Sequence, residues 1–238
     1  MPFVDQIILY GSLSVVGLGK NTGKTECLRY VLGRLSEMKK VVAVTSIGID
    51  GERVDQVTST PKPEIYLEKG TYFTTAASFY LKKRFRAEIC QVDEGGTVFG
   101  KMITARALER GKMILAGPSD TDVLQQWVRQ TPQRFPVDVC LVDGAISRLS
   151  PASPVVTRSM ILATGAAYSA NIRTLVERTR YVYDTVSLPL AEEGVRKKLE
   201  HITQGIRLIS ETGEITDPGV GSALVPDQVR DLTGTCGN

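Results

Sequence analysis

Apolar residues along this chain fall in short blocks, and their spacing differs from block to block. The run "SLSVVGLG" (12–19) reads as a buried strand. The next stretch, "GKTECLRYVLGRLSEM" (23–38), changes period. Its apolar positions Cys27, Leu28, Val31, Leu32 and Leu35 make a single stripe, which predicts a helix. "VVAVTSIGI" (41–49) is β-rich again. Two strands joined through a helix are expected to run parallel by a right-handed crossover, and this β-α-β start predicts an α/β domain.

The pattern continues in alternation. Residues 51–63, "GERVDQVTSTPKP", are polar and predict an exposed loop. In "EIYLEKGTYFTTAASFYLKKRF" we expect a short strand, a turn at Gly70 and a helix over 75–84. "AEICQV" (87–92) predicts a strand and "DEGGTVFG" a loop. "KMITARALERGKMILAGP" fits either a helix plus a strand or two strands turned at Arg110-Gly111, with "MILAG" (113–117) the firmer strand. "SDTDVLQQWVRQT" predicts a helix capped by Ser119 or Asp120. Strands are expected at 137–145 and 159–166, and helices at 169–184, capped by Ser169, and at 194–204. The expected architecture is a three-layer α/β fold with a mostly parallel central sheet flanked by helices. It should span residues 1–210, followed by a small β element and a loose tail over 211–238.

Composition narrows the function. The chain has 238 residues, 42% of them apolar, enough for a sizeable core. Its 29 basic and 26 acidic residues are interspersed and leave a net charge of +3, which does not argue for nucleic acid. The four cysteines, Cys27, Cys90, Cys140 and Cys236, show no C-x-x-C spacing and read as reduced thiols of a cytoplasmic protein. With His201 the single histidine, a histidine-rich metal site is excluded. The apolar runs are far below the ~20 residues of a membrane span. No basic segment followed by an apolar one marks a secretory signal.

The chemistry concentrates in "GLGKNTGKTE" (17–26), a Gly-Lys-Thr step between a predicted strand and a predicted helix. In a phosphate loop, successive backbone N–H groups point into one concavity and the positive end of the following helix adds to them. Gly19, Lys20, Asn21, Thr22, Gly23, Lys24, Thr25 and Glu26 are the expected nucleotide-binding residues. Lys24 would reach the β- and γ-phosphates and Thr25 would offer its hydroxyl to Mg²⁺. One position departs from G-x-x-x-x-G-K-[ST]: Leu18 stands where the first glycine belongs, with Gly17 and Gly19 beside it.

Carboxylates supply the rest. Asp143 ends the apolar strand "VCLVDG", where a second ligand for Mg²⁺ is expected; an ordinary Asp-Gly turn is the other reading. Asp50 ends the second strand and would orient the attacking water or hold Mg²⁺ through a water, with Glu52 and Asp55 as weaker alternatives and Glu52 and Asp93 as substitute metal ligands. The loop 51–63 is the expected nucleotide-sensing switch. Arg148, Ser150 and Ser153 in "DGAISRLSPASP" would face the nucleotide or a partner.

The stretches "VVGLGKNTGKT" and "VVAVTSIGID" resemble the P-loop group that includes dethiobiotin synthetase, the molybdopterin-guanine dinucleotide accessory protein and the ParA-like ATPases. The early lysine, Lys20, stands one place later than in the ParA-like pattern. Taken in order, "GLGKNTGKT", "SIGIDGE", "ILAGPS", "LVDGAISRLSPASP" and "ILATGA" more closely resemble the small subunit of the lysine 5,6-aminomutase reactivases, chaperones of an adenosylcobalamin enzyme. That resemblance covers about residues 12–170. It implies a larger ATPase subunit and an aminomutase client as partners. The sequence holds no D-x-H-x-x-G cobalamin motif.

Three functions compete at this level: a nucleotide-driven helper of another protein, a small-molecule kinase or ligase of the dethiobiotin synthetase type, and a module that holds nucleotide without hydrolysing it. No N-K-x-D guanine motif is present, which favours ATP over GTP. Self-association stays open.

Overall fold

The computed structural model describes residues 3–47, 65–97, 100–118, 120–145, 156–189, 191–202, 207–210 and 212–219. The chain divides into two units, 1–175 and 176–238. The first holds α1 (Phe3–Tyr10), β1 (Ser12–Gly17), α2 (Lys24–Glu37), β2 (Val42–Ser46), β3 (Ile65–Leu67), β4 (Tyr72–Ala76), α3 (Ala77–Tyr80), β5 (Ala87–Thr97), β6 (Gly100–Ala107), β7 (Gly111–Met113), α4 (Thr121–Arg134), β8 (Val139–Ala145) and β9 (Ser159–Ala163). The helix α5 (Ile172–Val186) begins in the first unit and ends in the second. The second unit also holds α6 (Glu193–Leu199) and a small antiparallel pair, β10 (Leu208–Ile209) and β11 (Ile215–Thr216).

Seven strands form the main sheet in the order β5-β6-β4-β2-β8-β1-β9. The five from β4 to β9 run parallel, whereas β6 is antiparallel to both β4 and β5. The expected α/β class with a mostly parallel, helix-flanked sheet is therefore the one observed. β2 does run parallel to β1, but β8 lies between them.

Burial on both faces explains why the parallel strands read as apolar runs rather than alternations. On β1, Leu13 and Val15 join the core under α1 and α2, with Val4, Ile7, Leu28, Val31, Leu32 and Leu35. Val16 points to the other face and packs with Val142 of β8 and Leu124 of α4. The predicted stripe of α2 is the buried one: Leu28, Val31, Leu32 and Leu35 are buried and Cys27 packs against them. On the α4 side, Trp127 donates its indole N–H to Thr74 Oγ1 of β4 at 2.8 Å, and Thr74 Oγ1 shares a 2.8 Å hydrogen bond with Thr104 of β6.

Several expectations are corrected. The helix expected over 75–84 shrinks to α3, four residues long, because Thr74 and Thr75 extend β4 into the buried sheet, where β-branched side chains fit well. Strand β5 does not stop at 92 but runs to Thr97 and pairs with β6, so most of the expected loop belongs to a hairpin. The segment 100–113 forms two strands, yet they do not pair with each other: β6 joins the main sheet and β7 pairs with β3. Of "MILAG" only Met113 lies in a strand; the extended chain after it is tied to β4 by Ala76 N–H to Ala116 O at 2.9 Å and Ala116 N–H to Thr75 Oγ1 at 3.0 Å. At α4 an expectation holds: of the two expected caps Asp120 is the one seen, its Oδ1 accepting from the N–H groups of Asp122 and Val123. At α5 the N–H of Thr174 is capped by Asn171 Oδ1, not by Ser169. No helix among the described residues is long and apolar enough to cross a membrane.

Candidate functional site

Three parallel strands converge at one sheet edge. In register, Gly17 at the end of β1 stands beside Ala145 of β8 and Ala163 of β9. Ligand sites of open α/β sheets form at such carboxyl ends.

The loop between β1 and α2 is shaped by particular residues. Leu18 is buried, 2% exposed, and its N–H donates to Ala163 O at 2.9 Å, so it prolongs the β1–β9 pairing instead of forming the loop. The close approach falls to Gly17. A Cβ there would lie 2.9 Å from Thr22 Oγ1 and 3.3 Å from both Gly19 O and Lys24 Cβ. The loop folds back on itself at this point, and Thr22, itself buried, ties it by donating Oγ1–H to Gly19 O at 2.9 Å. Asn21 at φ 60° and Gly23 at φ 89° are both left-handed and turn the chain into the helix. Left-handed residues in such a turn make the backbone concavities that gather N–H groups around an anion. At Gly23 a Cβ would meet open space, so the mouth of the loop is unobstructed there.

Helix α2 then starts with no side-chain cap. Its first bond runs from Cys27 N–H to Gly23 O at 3.0 Å. The N–H groups of Lys24, Thr25 and Glu26 lie ahead of that bond, in the first turn, where donors have no partner within the helix. The Glu26 carboxylate turns away to Arg29, at 3.0 and 3.3 Å, which leaves its backbone N–H as its contribution to the loop. Thr25 is half-buried, whereas Lys20 and Asn21 are exposed.

From β8 comes Asp143. It pairs in register with Val15 of β1 on one side and Ser46 of β2 on the other, and its carbonyl accepts from Ile47 N–H at 2.9 Å. Its carboxylate Oδ1 lies 2.6 Å from Lys24 Nζ, with the two side chains 20% and 24% exposed. The strand therefore carries the carboxylate to the start of α2, where it holds the lysine of the Gly-Lys-Thr step.

The donor set suits a hard cation. The Thr25 hydroxyl and the Asp143 carboxylate are oxygen donors, and Mg²⁺ binds through one or two protein ligands while keeping several waters. Among the described residues no group of three or more His, Cys, Asp or Glu is gathered for a metal. Asp93 is placed too far to substitute: it sits on β5, with β6, β4 and β2 between it and β8, and it accepts from Gln91. Among the described residues, no cysteine joins a group gathered for a metal. Burial pushes Cys140, three residues before Asp143, up to about 12. Desolvation and then the Glu88 carboxylate raise Cys90. Cys27, Cys90 and Cys140 are all free.

Asp50, Glu52, Asp55, the loop 51–63, Arg148, Ser150, Ser153 and Cys236 lie outside the described residues. One residue beside the loop goes unnoticed in the sequence: Tyr168, whose ring edge Cδ2 would stand 3.2 Å from a Cβ on Gly19. Its signal is topological, since β9 pairs with β1 and the turn that follows it must emerge beside the loop. Compared with protein-family models, with curated proteins and with solved structures, the chain gives no match.

Proposed function

We propose that this chain is a P-loop nucleotide-binding protein that takes a nucleoside triphosphate, ATP in preference to GTP, together with Mg²⁺, and uses slow hydrolysis to drive a partner protein. The observation that carries the reading is the 2.6 Å ion pair between Lys24 and Asp143, two residues 119 positions apart in the chain. In this reading the N–H groups of the loop and of the first turn of α2 hold the phosphates, and Lys24 meets the β- and γ-phosphates. Thr25 and Asp143 hold the metal, which would neutralise charge on the phosphate chain. Asp50, which follows β2 in the sequence, orients the attacking water.

The partner side of the proposal rests on the resemblance to the aminomutase reactivases: a larger ATPase subunit, and an adenosylcobalamin-dependent aminomutase as client. A cytoplasmic location belongs to the same proposal. The test is calorimetry of ATP binding to the wild type and to Lys24→Ala. Removing the ammonium is expected to weaken binding by about 1.5–3 kcal/mol, the range for hydrogen bonds to charged groups. Equal affinities would end the phosphate-loop reading.

A further inference from the structure

We infer that Tyr168 is the nucleoside-recognition residue of this site, its ring serving as the surface on which the base of a nucleoside 5′-triphosphate stacks. The inference rests on the reading of the loop between β1 and α2 as a phosphate site. It goes beyond that reading by assigning where the nucleoside lies and what holds it.

Topology brings Tyr168 to the loop. β9 runs parallel to β1 and the pairing reaches Gly17 opposite Ala163, so the chain from 164 onwards leaves the sheet at the edge where the loop begins. Tyr168 lies against Gly19: its Cδ2 would be 3.2 Å, and its Cα 3.8 Å, from a Cβ at that position. Any larger residue at 19 would press on the ring. Gly19 thus serves to seat an aromatic side chain on the loop, a purpose separate from the backbone turn.

The turn that carries the ring is tied on both sides. Tyr168 N–H donates to Gly165 O at 2.8 Å. Beyond it, Ser169 Oγ–H donates to Asn171 O at 3.2 Å, and Asn171 Oδ1 accepts from Thr174 N–H at 3.1 Å to start α5. Tyr168 is half-buried, so part of its surface stays open to solvent. A ring held in place on a fixed turn loses little freedom when a ligand stacks on it.

Direction decides which part of the ligand meets it. Strand β1 has β8 on one flank and β9 on the other. Asp143 and the Lys24 ammonium it holds are on the β8 side, which marks the β/γ end of the phosphate chain. A triphosphate anchored there has its α-phosphate and nucleoside trailing toward the opposite flank, where Tyr168 is the aromatic residue against the loop. Stacking is tolerant of base identity, because every base has a π-face. The ligand class is therefore nucleoside triphosphates as a group, distinguished from bare polyphosphate.

Calorimetry with two probes tests this: ATP with Mg²⁺, and inorganic tripolyphosphate with Mg²⁺. The proteins are the full chain as wild type, Tyr168→Ala and Tyr168→Trp, with circular dichroism confirming the fold of each. Tyr168→Ala is expected to weaken ATP at least about fivefold, the low end for loss of one base-stacking contact, and to leave tripolyphosphate unchanged. Tyr168→Trp is expected to keep ATP affinity. Loss of both probes together in Tyr168→Ala would make the ring a prop for the loop and overturn the inference. Unchanged ATP affinity in that variant would overturn it too, as would a wild type that binds tripolyphosphate as tightly as ATP; in those cases the phosphate-loop reading stands. A wild type that binds neither probe would remove the phosphate loop itself, and the inference with it.

Discussion

Gly17 lies so close to Thr22 that a Cβ on the first would stand 2.9 Å from the hydroxyl oxygen of the second. The glycine that matters for closing the loop thus sits one position before the place the usual motif gives it. Leu18, which occupies that place, belongs to the strand and the core. Gly17→Ala is expected to displace Thr22 and break its bond to Gly19, lowering ATP affinity at least about tenfold, or ~1.4 kcal/mol. Leu18→Gly restores the motif on paper but empties a buried leucine site, and even the milder Leu→Ala change costs about 2–5 kcal/mol at such sites. Denaturant unfolding should show that loss of stability, with no gain in nucleotide affinity to set against it.

The metal is separable from the phosphates. Asp143→Asn keeps the shape of the side chain and removes its charge. It is expected to retain ATP binding in EDTA and to lose most of the gain that Mg²⁺ gives the wild type, together with hydrolysis. Asp50→Asn should keep the Mg²⁺ gain and lose hydrolysis. Titrating ATP with and without Mg²⁺, followed by a phosphate-release assay, distinguishes the two; an unaltered Mg²⁺ gain in Asp143→Asn would move the ligand elsewhere.

A helper protein must present different surfaces before and after hydrolysis. A ligand shifts a two-state element only by its differential affinity for the states. Affinity for the partner is therefore expected to differ at least ~5-fold between ATP- and ADP-loaded forms, the low end of allosteric coupling. Arg148→Glu should shrink that difference. The measurement is partner affinity under each nucleotide, after capture of the partner from the source cells; identical affinities would leave a kinase or a passive nucleotide-binding module as the remaining readings.

Cys140 gives the fold a pH dependence of its own. Burial holds its thiol up to about 12, against 9.0 for a free thiol. Between those values the unfolded chain releases the proton and the folded chain keeps it, so stability is fully present below pH 9 and falls as pH rises. The limiting slope is about 1.4 kcal/mol per pH unit. Thermal unfolding of the wild type and Cys140→Ala from pH 8 to 10.5 should show a shallower decline in the variant.

Much of the layout could be read from the residues because burial writes itself into period. β2 and β8 are apolar on successive positions because both faces are covered, and α2 shows its stripe because one face is. The turn between β1 and α2 was legible because glycines break the apolar run of β1 just before the stripe of α2 begins. What escaped was set by backbone pairing. β5 continues past Gly95 and Gly96, poor strand formers, to Thr97, which pairs with Gly100 of β6. α1, "FVDQIILY", is too short and too uniformly apolar for a helical period to emerge. Tyr168 carries no motif; only the pairing of β9 with β1 brings it beside Gly19.

At the far side of the sheet from the loop, β5 is an outermost strand, and such a strand offers unpaired backbone groups to any passing chain. Its ladder with β6 slips between Ile89 and Gln91, so that Cys90 has no opposite number, and slips again between Asp93 and Thr97. Irregularities of this kind bend a strand and break up the regular row of donors and acceptors on its open side. With Ile89 and Val92 half exposed beside them, an unbroken β5 would offer a second chain both a hydrogen-bond ladder and apolar side chains; the two slips spoil the ladder.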